Sequence, residues 1–363
     1  MEKDQLDFRQ MKIVSPDSEI QDKIKRIWDG IAKPLDGLGQ FETILAQIGA
    51  ILGTTEIVIA KKAVIVMCAD NGIVEEGVSQ SGPEITAVVT EFMGKNQTSV
   101  GKMARAAGAD VFPVDIGICR EEPIDGVWPR KIAYGTKNFR KEPAMTKEET
   151  LRAIAVGIEM TAHCKACGYQ LLGTGEMGIG NTTTSSAAAA ALFGCDPLEV
   201  TGRGAGLSDA GLLRKRQVIQ AALDRYQFQK EETLRILATV GGLDIAGLTG
   251  VFIGGAMYHL PVVIDGVISG VAALIAERLL PGSRAYMIPS HKSKEPALNR
   301  IMEELKLHPV IDAGLALGEG TGAVMLFSLL DMALSLYESR TTFGDIAVEQ
   351  YPRYEKEKEN LPL

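Results

Sequence analysis

The sequence predicts an α/β fold: a doubly wound, mostly parallel sheet of the Rossmann-like kind, joined to a small helical domain built from both chain ends. Three observations carry this expectation. From about residue 60 onward, short apolar runs alternate with segments of helical period, the pattern of a sheet covered on both faces. The runs at 63–69 and 260–264 are apolar at nearly every position, as strands buried on both faces are. Each run then breaks into turn-forming or glycine-rich polar chemistry, so several strand ends share one polar rim, where this architecture binds ligands. The large α/β domain is expected over 56–323, and the helical one over 1–55 and 324–363.

Taken in order, residues 18–30 and 40–53 have the spacing of amphipathic helices. The strand at 63–69 is stopped by Asp70-Asn-Gly72. A helix is expected over 85–107 and a strand over 110–115. Another helix is expected over 146–167, with Thr146 as N-cap and Glu149 three residues on. Residues 169–172 read as a strand and 182–193 as a helix. Ser208 is placed to cap the helix that carries Arg214, Lys215 and Arg216. The most apolar stretch, 245–260, is interrupted by glycines and reads as a buried helix pair rather than a membrane span. A strand at 260–264 ends at Asp265-Gly266, a helix follows over 269–280, and a strand at 284–289 ends in the turn Ser290-His-Lys-Ser293. A last helix is expected over 324–340, followed by a loose charged tail from Tyr351.

Composition narrows the function. Among 363 residues, 46% are hydrophobic and 23% charged, which fits a globular protein. The net charge is −8, with no basic block or polybasic tail, so nucleic acid is excluded as the expected partner. The charged start, Met1-Glu-Lys-Asp-Gln5, lacks the apolar core of a signal peptide, and a cytoplasmic protein with no membrane attachment is expected. Five cysteines give little: Cys164-Lys-Ala-Cys167 beside His163 has redox spacing, but no second pair completes a zinc pattern.

The chemistry lies in glycine-flanked acids. Gly173-Thr-Gly-Glu-Met-Gly178 matches a dinucleotide fingerprint after a strand, but no acid ends a second strand about twenty residues on. The following Ile-Gly180-Asn181-Thr182-Thr183-Thr184 row suggests a mononucleotide phosphate at a helix start instead. Glu176 is the odd member, because a carboxylate repels phosphate unless it has other work. Leu317-Gly318-Glu319-Gly-Thr-Gly322 is a second glycine loop around one acid. A partly desolvated Glu319 suits a general base, although capping the helix from Thr321 explains the same spacing. Arg203, among glycines, and Lys215 supply cations near the phosphate loop, while the bland reading of Lys215 is an exposed helix lysine. Ser81 lies in a polar loop that either lines a pocket or simply meets solvent. The histidines share no spacing that supports a metal site or a Ser-His-Asp triad.

These residues coincide with a family pattern. Gly175-Glu-Met-Gly-Ile-Gly-Asn-Thr-Thr183, Gly202-Arg-Gly204, Val240-Gly-Gly242, Asp265-Gly266, Ser290-His-Lys-Ser-Lys-Glu-Pro296 and Leu317-Gly-Glu-Gly-Thr-Gly-Ala323 occur in that order. Lys33-Pro-Leu-Asp-Gly-Leu-Gly39 and Ala69-Asp-Asn-Gly72 precede them. Over about 20–340, the set resembles nicotinate-nucleotide–dimethylbenzimidazole phosphoribosyltransferases, which activate the lower base of cobamides. The resemblance implies transfer of ribose 5-phosphate from nicotinate mononucleotide to an aromatic base, with no metal and no cofactor. Glu319 is then the general base and Glu176 supports the ribose or the reacting centre. Gly175, Met177, Gly178, Gly180, Asn181, Thr182, Thr183, Arg203, Lys215, Asp265, Ser290, Ser293, Ser81, Val89, Leu317 and Gly318 are the expected substrate-binding positions. A homodimer is implied, or pairing with a paralogue, since phenol-activating relatives can work as two-subunit enzymes. A catalytically silent nucleotide-binding subunit is the competing class.

The chain departs from the family at three places. Many relatives read Asp-His-Gly where this one has Asp70-Asn71-Gly72. Ala316 stands where an Arg commonly precedes the Leu-Gly-Glu motif. Val88 and Val89 occupy a helix position where a glutamine often faces the base.

Overall fold

The computed structural model describes Phe8 and residues 11–353. The elements run α1 (Ser18–Gly30), α2 (Gln40–Leu52), β1 (Lys62–Ala69), α3 (Glu84–Gly94), α4 (Ser99–Ala106), β2 (Ala109–Gly117) and β3 (Trp128–Pro129). Then come α5 (Lys147–Ala166), β4 (Leu171–Met177), α6 (Asn181–Phe193), α7 (Pro197–Val200), α8 (Asp209–Tyr226), α9 (Thr233–Val240) and α10 (Leu243–Tyr258). The last are β5 (Val262–Ile264), α11 (Val267–Leu279), β6 (Met287–Pro289), β7 (His291–Ser293), α12 (Pro296–Leu305), β8 (Ile311–Leu315) and α13 (Thr321–Glu338). The main sheet has the order β3-β2-β1-β4-β5-β6 and every neighbouring pair is parallel. That is the doubly wound α/β arrangement, with the strand order reversing between β1 and β4. All eight residues of β1 are buried, as its unbroken apolar run requires.

Sequence and structure part in instructive places. The helix expected over 85–107 is two helices, because Asn96 takes a left-handed φ of +54° and Thr98 restarts the chain as the extended N-cap of α4. The strand expected to end at residue 172 runs on to Met177, since β1 continues to pair with it as far as Cys68 opposite Met177. Its glycines are therefore packing positions: any side chain at Gly173 would crowd Ala323 and Phe327, and at Gly175 it would collide with the Glu319 carbonyl. The stretch read as a helix pair is the single helix α10, almost wholly buried. Residues 284–286 form a short 3₁₀ turn before β6. The Ser290–Ser293 turn is instead strand β7, paired in parallel with an unforeseen β8. Thr146 and Glu149 do form the capping box, and the Ser208 hydroxyl accepts from the Gly211 N–H at 3.2 Å.

The chain divides into two compact units. The larger contains Val58–Ser328 together with the described residues up to Ser15. Those early residues join it because Tyr286 donates its hydroxyl to the Val14 carbonyl at 2.6 Å. The smaller contains Pro16–Ile57 and the chain from Leu329 onward. Within it Trp28 and Tyr337 pack with ring centroids 5.1 Å apart. Lys33 and Glu42 form a shielded ion pair of 2.7 Å. Arg353 grips Asp29 and Asp36 with paired nitrogens, and Tyr351 packs on Phe343, so the expected loose tail is pinned through residue 353. Its more charged remainder lies outside the described residues. Among the described residues, α13 is the one helix of at least 18 residues apolar enough to span a membrane, and more than half of it is buried inside the protein.

Helices α5 and α10 approach backbone to backbone. Side chains at Gly157 or Gly250 would collide with the Gly247 or Ile154 carbonyl. Gly250→Ala is expected to destabilise the fold by about 1–3 kcal/mol through overpacking, read as a lower urea midpoint at unchanged m-value. An unchanged midpoint would show that the two helices can separate at no cost.

Candidate active site

The site grows from the point where strand order reverses. There β1 delivers Asp70-Asn71 and β4 delivers Glu176-Met177 side by side, with Met67 opposite Glu176 in the register. Glu176 retains some solvent access but lies deep among other groups. Burial pushes its carboxyl up to about 8, Asp244 and Asp265 push the same way, and the Asn181 amide and Glu319 backbone N–H oppose them. Asn181 donates through one nitrogen to Glu176 and, at 3.1 Å, to Asp244.

Glu319 arrives from the loop before α13. It holds φ +60° between Gly318 at +85° and Gly320 at +95°, three left-handed residues in a row. Only glycine adopts that conformation freely, so the two flanking glycines carry the turn while Glu319 bears strain. What over-determines it is Asp265. One carboxylate oxygen accepts from Gly322 N–H at 2.7 Å and Ala323 N–H at 3.2 Å, and the other from Gly320 N–H at 3.2 Å. The Glu319 side chain accepts from the Val100 N–H at 3.0 Å, at the start of α4, whose positive end orients the carboxylate. Its carbonyl sits on Gly175, and Gly318 lies against the Glu176 carboxyl. The two acid-bearing glycine segments therefore touch.

The third part is a cation at a helix start. Gly180, at φ +93°, leads into α6, which has no side-chain cap. Lys215 is fully buried, and its ammonium donates to the Thr182 hydroxyl at 3.0 Å and the Gly202 carbonyl at 3.2 Å, leaving its third hydrogen for a ligand. Desolvation lowers it to about 8 against the pull of Glu295. The exposed-lysine reading is thus overturned: α8 packs this face against α6. Thr183, next in the chain after Thr182, has a buried hydroxyl without a partner. A helix N-terminus with an adjoining buried ammonium is a phosphate-binding arrangement.

The other expected positions differ in how free they are. Arg203 is half exposed and braces its own loop through Asp209 and the Leu207 carbonyl. Asp265 spends its carboxylate on the backbone, and His291, its neighbour, is held down by burial while Asp265 opposes this. The Ser290 hydroxyl donates to the Ile264 carbonyl at 2.6 Å, and Ser293 accepts from the Glu295 N–H at 3.1 Å. Leu317 and Ser81 are exposed, and Val89 is half-buried on α3. That helix meets the glycine turn through Thr86, whose hydroxyl accepts from the Ile179 N–H at 3.1 Å. Sequence reading missed Asp244, Thr86 and the Val100 amide. The one signal for Asp244 was an acid opening an otherwise apolar helix.

A strand-end turn, an uncapped helix with a buried lysine, and two acid-bearing glycine segments in contact make a rim suited to a phosphorylated substrate. The chain belongs to the phosphoribosyltransferase family, whose model matches residues 13–348. It is 45% identical over 333 residues to the nicotinate-nucleotide–dimethylbenzimidazole phosphoribosyltransferase of Ruminiclostridium cellulolyticum, covering 92% of this chain and 95% of that one. The enzyme of the same name from Clostridium acetobutylicum is 44% identical over 335 residues, with the same coverage. The crystal structure of nicotinate-nucleotide–dimethylbenzimidazole phosphoribosyltransferase from Thermus thermophilus superimposes with a TM-score of 0.86 at 36% identity. That match covers 92% of this chain and all of the other.

Burial of Lys215 has a pH signature. Its ammonium releases its proton near 8 when folded and near its ordinary 10.5 when unfolded, so the unfolded chain binds more protons between those values. Stability from this group therefore rises with pH across that window. Lys215→Met is expected to remove that rise in urea unfolding at pH 8 to 10. Parallel curves for the variant and wild type would refute a desolvated lysine.

Proposed function

We propose that this chain moves the ribose 5-phosphate of nicotinate mononucleotide onto an aromatic lower base of a cobamide, releasing nicotinate and forming the α-riboside 5′-phosphate. The observation that carries the reading is the contact between the Glu319 loop and Glu176, joined through Asn181-Thr182 to the Lys215 phosphate cradle. In this reading the 5′-phosphate lies on the α6 N-terminus with Lys215, Thr182 and Thr183, and Gly178 and Gly180 let the backbone close on it. The ribose lies over Gly175 and Met177 beside Glu176.

The base enters between Glu319 and the α3 face that bears Val89, with Leu317 and Ser81 at the mouth. A base nitrogen attacks C1′ while the bond to the pyridinium nitrogen breaks, and its electron pair neutralises the departing ring. Glu319 takes the N–H proton of the incoming base. No charge has to be placed on a poor leaving group, so positioning and one proton acceptor suffice. Asp265, Ser290 and Ser293 act behind the substrates by holding the loops. Arg203 and Gly318 serve their own loops in the same way. The resemblance implies a homodimer or pairing with a paralogue.

Glu319→Gln is expected to cut nicotinate release by about 10²- to 10⁴-fold, with nucleotide affinity by calorimetry unchanged. Near wild-type turnover would remove Glu319 from the chemistry. A panel of benzimidazoles, purines and phenols should each be consumed in step with nicotinate if accepted. The apolar α3 face favours benzimidazoles with hydrophobic substituents. Nicotinate release without base consumption would mean hydrolysis, and a silent purified chain would mean a partner-dependent subunit.

A further inference from the structure

One enclosed acid is left without a task by that mechanism. Asp244, in the first turn of α10, is fully buried. One of its oxygens accepts from the Ile245 N–H at 2.9 Å, and the other from Asn181 Nδ2 at 3.1 Å. That same Nδ2 donates to Glu176 Oε2. An amide nitrogen has two hydrogens, and here each goes to a different carboxyl group. Two carboxyls tied to one nitrogen in a low-dielectric setting do not both ionise cheaply.

The surroundings decide which of them keeps the charge. Asp244 sits at the positive end of α10, with the Ile245 N–H and the Asn181 amide both favouring its anion. Glu176 faces two acids, Asp244 from α10 and Asp265 beyond β5, against the Asn181 amide and the Glu319 backbone N–H. Burial and these neighbours place Asp244 at about 6 and Glu176 at about 8. A second observation marks the spot. Asn71 is 2% exposed, yet neither polar atom of its amide has a hydrogen-bond partner. A side chain at either Gly178 or Gly242 would collide with both the Asn71 amide and the Asp244 carboxyl. Asn71, Asn181 and Asp244 thus back onto the glycine turn as a polar wall with hydrogen-bonding capacity to spare.

We propose that Asp244 is a positioning residue for the transfer: by anchoring the Asn181 amide from behind, it sets the direction of the Glu176 carboxyl and leaves the shared proton on Glu176, which donates to a ribose hydroxyl. This rests on the phosphoribosyl-transfer reading above. The protonated Glu176 is the working form, so activity contributed by it falls as pH rises through its value near 8. Without the Asp244 charge, Glu176 ionises at lower pH and that alkaline limb moves down.

The test is kcat/KM for nicotinate mononucleotide from pH 5.5 to 9, with dimethylbenzimidazole saturating, in wild type, Asp244→Asn, Glu176→Gln and the double variant. Asp244→Asn should equal wild type near pH 6 and fall to about one-tenth of it above pH 8, a one-unit shift of the limb. Glu176→Gln should leave only the part of the limb that deprotonation of Lys215 contributes to phosphate binding, and adding Asp244→Asn to it should shift nothing further. A merely structural Asp244 would lower the rate by one factor at every pH, and that result overturns the proposal. Should Asp244→Asn fail to fold, Glu176→Gln decides alone: an alkaline limb identical to that of wild type overturns the proposal, and one reduced to the Lys215 component supports it. A wild-type chain that releases no nicotinate overturns the phosphoribosyl-transfer reading instead.

Discussion

The site depends on the grip of Asp265 on the loop that precedes α13. Its carboxylate satisfies the N–H groups of Gly320, Gly322 and Ala323, which a helix start would otherwise leave unpaired. Because those amides are fixed relative to the end of β5, so is the run of left-handed residues that projects Glu319. Three backbone N–H bonds accepted by one buried carboxyl group leave the loop little freedom. The parallel ladder then does the rest. β5 adjoins β4, and β4 adjoins β1, so the loop, Glu176 and Asp70-Asn71 are indexed to one another by backbone pairing rather than by side-chain packing.

Electrostatics follows from that geometry. The sheet rim brings Asp244 of α10 and Asp265 beyond β5 toward Glu176, while the buried ammonium of Lys215 lies at the other end of the glycine turn. A substrate with an anionic phosphate and a cationic ring is dipolar along its length. In the proposed placement the rim offers the matching order: Lys215 and the start of α6 at one end, the acid-bearing segments at the other. Desolvation costs at both ends are relieved when the substrate enters, and differential binding of this kind can be used for catalysis.

Legibility in the sequence tracked how local each feature is. Glu319 could be singled out because glycines adjacent in the chain create its conformation. Ser208 and the Thr146–Glu149 box were readable for the same reason. Lys215 was ambiguous because burial of a helix lysine depends on which face α6 covers. Asp244 escaped notice because its partner Asn181 belongs to another helix, and a first-turn acid already has an ordinary reading as a dipole partner. Asp265 was found as a motif residue, but its attachment to backbone amides far along the chain carries no sequence signal. The strand that continues through Gly173 and Gly175 was hidden by composition. Glycine weakens isolated strands, yet here flanking strands on both sides supply the ladder that its propensity does not.

The left-handed backbone at Glu319 sets stability and activity against each other. A glycine there would be at ease, relaxing the turn at the expense of the one side chain the turn presents. If Glu319 is the base proposed above, drift toward a more stable fold runs through loss of function at this position. On the role proposed for Glu319, selection for catalysis holds the chain at a conformation that folding alone would abandon, so a glycine at this point in an otherwise intact relative would read as the signature of a protein released from chemistry and kept for binding.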